Sequence, residues 1–136
     1  MSNIRGRTTL TAFRCDQTLP IMHEVEDPRN FFAMVQGLTQ IKTQLESQNS
    51  HERDCVNRII ALGELIHALR HTQIFHGRNH YLCTLFFTAD AKSPDYQDQI
   101  NYATMLLDIY KKDKEIQSIL KYYRWDVIIT LTLLPK

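Results

Sequence analysis

Tyr122-Tyr-Arg-Trp-Asp-Val-Ile-Ile-Thr-Leu-Thr-Leu-Leu134 is the stretch whose reading decides the fold of this chain. Taken as a helix at about 100° per residue, Ile116, Leu120, Tyr123, Val127, Leu131 and Leu134 line one stripe. Tyr122, Trp125, Ile129 and Leu133 line a second stripe, centred more than about 90° from the first. A helix that is apolar on two sides is wrapped by its own domain or closed over by another chain. Taken by propensity, Val127-Ile-Ile-Thr-Leu-Thr132 is rich in β-branched residues and reads as a strand. The spacing 116, 119, 120, 123, 127, 131, 134 nevertheless keeps one helical phase without a slip. Over that length pattern outweighs propensity, so the sequence favours a helix.

Working outward, Asp113 breaks the lysine-rich Lys111-Lys-Asp-Lys114 patch and is placed to cap this last helix. Ser93-Pro94-Asp95 opens the preceding one, which carries Tyr96, Ile100, Ala103, Leu107 and Tyr110 at helical spacing. The run Tyr81-Leu-Cys-Thr-Leu-Phe-Phe-Thr-Ala89 is ambiguous between a helix capped by Asn79 and a buried strand. Asp27-Pro28 starts a helix near 28–47, with Phe31, Met34, Val35, Leu38, Ile41 and Leu45 on its apolar face. Ser50 caps a second helix, from about 51 to 75, whose wide apolar sector suggests a central position and which Gly77 ends. Gly37 and Gly63 lie inside these two helices, where each costs about 1 kcal/mol relative to alanine, and so suggest close helix–helix approach. Residues 1–27 lack sustained periodicity. They read as an irregular arm, basic at Arg5, Arg7 and Arg14, with a threonine patch at 8–11 that suits a short strand.

The expected fold is therefore mainly α: a compact bundle of about five helices over 28–136, with an irregular N-terminal arm over 1–27. The alternative is α+β, with 81–88 and 126–134 as paired strands.

A chain of 136 residues is long enough for one self-sufficient core. Its 43% hydrophobic and 23% charged content is that of a globular protein. A net charge of +1 counts against a dedicated nucleic-acid binder. Three cysteines, Cys15, Cys55 and Cys83, with no C-x-x-C pair, point to reduced thiols and a cytoplasmic setting. The N-terminus lacks the apolar core of a general secretory signal, although specialised export reads other signals. The C-terminal apolar run is too short to span a bilayer.

No catalytic signature stands out. Glu64, His67 and His71 follow E-x-x-H-x-x-x-H spacing, which gathers a carboxylate and two imidazoles on one helix flank in the manner of a zinc or iron site. No second E-x-x-H and no H-E-x-x-H accompanies them, so no metal or cofactor is expected. Cys15, on the polar arm, is the one thiol suspected of reactivity. The glycines form no phosphate-binding loop. Lys111, Lys112, Lys114 and Lys121, with Arg124, suit phosphate contacts, but Asp108, Asp113 and Glu115 interleave with them.

These observations favour a non-enzymatic protein–protein interaction module: a small helical adaptor, chaperone-like subunit or inhibitor that docks on another protein or on a second copy of itself. Tyr122, Arg124, Trp125, Ile129 and Leu133 are the expected contact residues, since Tyr, Trp and Arg are enriched at interface hot spots. A metal- or cysteine-dependent enzyme built around Glu64, His67 and His71 is the competing class. A nucleic-acid-associated subunit using the Lys111–Lys121 cluster is a third.

Overall fold

The computed structural model describes residues 6–15, 23–25, 31–72, 74–76 and 80–136. Among them lie four helices and five strands, in chain order β1 (Gly6–Phe13), β2 (His23–Val25), α1 (Phe31–Ser47), α2 (Arg53–His71), β3 (Ile74–His76), β4 (Tyr81–Asp90), α3 (Tyr96–Lys112), α4 (Lys114–Tyr122) and β5 (Trp125–Leu134). The strands form a single sheet in the order β1-β5-β4-β3-β2. Only the β4–β5 pair is parallel; β1–β5, β3–β4 and β2–β3 are antiparallel.

This architecture overturns the expected all-helical bundle, and it is the α+β alternative that the chain adopts. The decisive point is Tyr123-Arg124. The N–H of Tyr123 bonds back to the carbonyl of Ile119, that of Arg124 bonds to Lys121, and Arg124 takes φ 63°. A left-handed residue just past a helix ends it, because the next N–H groups turn back onto its last carbonyls. The chain then leaves as an extended strand instead of carrying the helical phase on to Leu134.

The double apolar stripe has a different cause from a two-sided helix. β5 is flanked by β1 and β4, and seven consecutive residues from Trp125 to Leu131 are buried except Ile128. A strand paired on both edges and backed by helices on one face keeps β-branched residues at its alternate positions as well, so it reads as a near-continuous apolar run. Such a run matches a 3.6-residue period almost as well as a period of 2. The segment 81–89 resolves in the same way, as β4, and pairs residue for residue with β5 from Tyr81–Trp125 to Asp90–Leu134. The β4-α3-α4-β5 unit supplies the long crossover that a parallel pair needs.

The N-terminal arm is likewise corrected. Gly6–Phe13 forms one edge strand and His23–Val25 the other, so the first 25 residues contribute both margins of the sheet. The threonine patch at 8–11 lies within β1, in register with Leu131 to Ile128.

Most other helical expectations hold, although Glu52 and not Ser50 stands at the N-cap of α2, the Ser50 hydroxyl accepting from the Glu52 N–H instead. The Ser93-Pro94-Asp95 start leads into α3, and the side chain of Asp113 accepts from the N–H groups of Glu115 and Ile116 at the head of α4. α2 stops at His71, earlier than expected, because residues 74–76 leave as β3. The expected starts at Asp27-Pro28 and Asn79 and the stop at Gly77 fall outside the described residues. Gly37 makes the close approach that its position suggests: a Cβ there would lie 3.3 Å from the Ile119 side chain of α4. Gly63 is looser, its nearest neighbour being the Lys42 stem at 3.5 Å.

The core unites Met34, Val35 and Leu38 of α1, Leu62, Leu65 and Leu69 of α2, Leu106 and Tyr110 of α3, and Ile116 and Leu120 of α4 with one face of the sheet. The Tyr110 hydroxyl donates to the Ala61 carbonyl at 2.6 Å, tying α3 to α2 inside this core. Arg58 of α2 grips the α3–α4 junction, with Nε 2.5 Å from Asp113 Oδ2 and Nη2 2.7 Å from Glu115 Oε1.

Candidate functional site

Successive strand residues point to opposite faces, so the register sorts the sheet into two sides. Cys83, Leu85 and Ala89 of β4 and Trp125, Val127, Ile129 and Leu131 of β5 enter the core beneath the helices. The alternate positions point the other way: Phe75 of β3, Leu82, Thr84, Phe86 and Thr88 of β4, Ile128, Thr130, Thr132 and Leu134 of β5, and Thr11 of β1. None of these belongs to the core cluster or packs against it. Phe86 is 65% exposed, Thr11 and Thr88 are exposed, and Leu82, Thr84, Ile128 and Thr132 are half-buried. Among the described residues, this second face is a band of threonines around two phenylalanines and three aliphatic side chains. Its described ionisable groups lie at its two ends. Asp90 accepts from the Lys92 backbone N–H at 2.9 Å at one end, and Asp126 is sealed at the other.

Asp126 is fully buried and organises that second end. Its Oδ1 accepts from the backbone N–H of Cys15 at 2.7 Å, which pins the segment following β1. Its Oδ2 stands 3.4 Å from Nε2 of His80, itself 1% exposed. A buried carboxylate is tolerated only with such partners. The arrangement resembles a nucleophile–histidine–acid set in composition only, since Cys15 presents its backbone N–H to the acid. The chemistry that these contacts support is anchoring of the chain to the end of β5. Neither apolar stripe of the sequence reading included Asp126, so its role was not visible there. A lone acid inside a strand-like stretch was the available signal that it is buried and partnered.

The five expected contact residues are dispersed. Trp125 is 0% exposed, its indole stacked on Tyr81 at 5.2 Å between ring centroids and 6.4 Å from Phe31. Ile129 is also fully buried, and Leu133 packs against the core. Only Tyr122, at 79% exposure, and Arg124 reach the surface, at the α4–β5 turn. No single helix face carries the five, because the segment changes from helix to strand in its midst.

Glu64, His67 and His71 all lie on α2 as their spacing suggests, with the His67 and His71 rings 4.4 Å apart and both exposed. Glu64 bonds instead to Tyr102, and burial together with this carboxylate pushes the Tyr102 hydroxyl up to about 12. Among the described residues, no group of three or more His, Cys, Asp or Glu side chains is placed to hold a metal ion. No disulfide joins Cys15, Cys55 or Cys83 to another described residue. Burial drives the Cys83 thiol up to about 12, which leaves it a small core hydrophobe without nucleophilic character. Cys15 and Cys55 are half-buried.

Among the described residues, no helix is long and apolar enough to cross a membrane. Compared with protein-family models, with curated proteins and with solved structures, the chain matches none.

Proposed function

We propose that this chain is a non-enzymatic interaction module that pairs with a second copy of itself through the sheet face opposite the helices. The observation that carries the reading is Phe86, 65% exposed at the middle of a central strand and ringed by threonines and aliphatic side chains. Two features favour a second copy over a different partner. The described side chains between the Asp90 and Asp126 ends are uncharged, so that part of two such faces meets without repulsion. A face rich in β-branched side chains is also the kind of surface that packs against another sheet, at about 10 Å separation.

Area sets the expected strength. Eight paired residues at about 3.3 Å each, across three strands about 4.8 Å apart, make a plane of roughly 25 by 14 Å. About 350–400 Å² on each side lies below the size of a tight dimer, so the association is weak, of micromolar order or looser.

The test is sedimentation velocity from about 10 to 500 µM on the native chain and on Phe86→Asp, which places a charge opposite its own copy. The native protein is expected to rise toward twice the monomer mass while the variant stays monomeric with an unchanged circular dichroism spectrum. A native chain that remains monomeric throughout, or a variant that associates equally well, defeats the reading.

A further inference from the structure

Two imidazoles that the sequence offers only as part of an incomplete metal motif meet in space with a definite geometry. His67 and His71 stand four residues apart on α2, about 40° around its axis and about 6 Å along it, so both project from one flank of its last turns. The Thr72 N–H bonds to the Ala68 carbonyl at 2.9 Å and closes the final turn, which fixes the backbone beneath His71. The two ring centres lie 4.4 Å apart, with their planes inclined at 39°. Both rings are exposed and line a concavity of about 330 Å³ between α1 and α2. Gly63, one turn before His67, adds no side chain to that space.

The separation of the rings selects the kind of ligand. An ion about 2.0 Å from a coordinating nitrogen lies roughly 3.2 Å from the centre of that imidazole. Two rings at this distance from an ion and 4.4 Å from each other subtend about 90° at it. A tetrahedral ion would hold the ring centres about 5.2 Å apart by the same construction. Right-angled neighbours belong to tetragonal and octahedral ions, and imidazole suits copper(II) and nickel(II) among them. Among the described residues no carboxylate completes the set, because Glu64 bonds to Tyr102. The remaining positions fall to water. Thr39 on the facing wall offers such water an acceptor, its own hydroxyl proton being committed to the Val35 carbonyl at 2.7 Å. The neighbouring cations do not close the site: Lys42 is held by Glu46 at 3.0 Å, and Arg70 is exposed, where solvent and salt screen its charge.

We propose that His67 and His71 form a two-imidazole coordination site for a late divalent transition-metal ion, copper(II) foremost. Apart from each other the two rings have no partner among the described residues, so an entering ion displaces no existing bond.

The experiment adds copper(II), nickel(II) and zinc(II) chlorides in turn to the native chain, prepared without an affinity tag. Calorimetry is expected to show one copper ion per chain, bound more tightly than nickel or zinc. The electron paramagnetic resonance spectrum of the copper form should carry splitting from two nitrogens, and amide broadening should centre on residues 39, 63 and 66–71. His67→Ala and His71→Ala should each weaken copper at least tenfold and reduce the splitting to one nitrogen, with circular dichroism unchanged. His51→Ala, which removes an exposed imidazole elsewhere, should change the affinity less than twofold. Copper binding that does not saturate overturns the proposal, as does equal weakening by His51→Ala. Zinc bound more tightly than copper would refute the right-angled geometry, and one ion per two chains would refute a site complete within one chain. Phe86→Asp is expected to bind copper as the native chain does, so a failure here leaves self-association through the sheet face standing.

Discussion

Trp125→Ala separates a core role for the indole from a role at an interface. The ring is fully buried, stacked on Tyr81 and beside Phe31, at the point where β5 begins beneath the helices. An indole removes about 200 Å² from water. At about 25 cal/mol per Å² that is close to 5 kcal/mol, and truncations of this kind cost about 3–5 kcal/mol. We expect a loss near 4 kcal/mol from a total of about 5–15 kcal/mol. Urea unfolding followed by far-ultraviolet circular dichroism reads it, since the variant lacks the fluorophore. With a slope near 2 kcal/mol/M, the midpoint should fall by about 2 M. The native protein should in turn show blue-shifted tryptophan emission that acrylamide quenches poorly. A stability loss below about 1 kcal/mol, or an indole freely quenched in the monomer, would refute the packing described above.

Two further outcomes follow from the buried polar groups. Tyr110→Phe removes the hydroxyl bond to Ala61 and should cost about 1 kcal/mol at neutral pH. Burial raises the Tyr110 hydroxyl well above 10.0, and Tyr102 and Cys83 each rise to about 12. The unfolded chain therefore releases these protons first. Stability is full below about pH 9, falls as the pH climbs toward 12, and should fall less steeply in Tyr110→Phe than in the native chain. Urea midpoints at pH 8, 10 and 11 check this, and parallel slopes for the two proteins would contradict it. Asp126→Ala strips an acceptor from the Cys15 N–H and a partner from His80, and should cost about 3 kcal/mol. Asp126→Asn, which retains a carbonyl oxygen, should cost less; equal losses in urea unfolding would show that the Cys15 contact contributes nothing.

The order of residues along the chain determined several things by itself. It marked α1, α2 and α3 by apolar spacing, the α3 start at Ser93-Pro94-Asp95, the Asp113 cap of α4, and the close approach at Gly37. Each depends on residues within one or two turns of one another, so local spacing and cap chemistry are enough to specify it. It also registered that Tyr122–Leu134 is apolar on two sides. Only the tertiary structure decided why. β5 is buried by strands that begin 119 and 44 residues earlier in the chain, at Gly6 and Tyr81, and a period read within one segment carries no trace of such neighbours. The same limit hid the exposed sheet face, which exists because the helices that join the core lie on the other side, and the burial of Asp126, which depends on the distant Cys15 and His80. Charge pairing and burial are settled by proximity in space, and proximity between distant segments is what folding adds to the sequence.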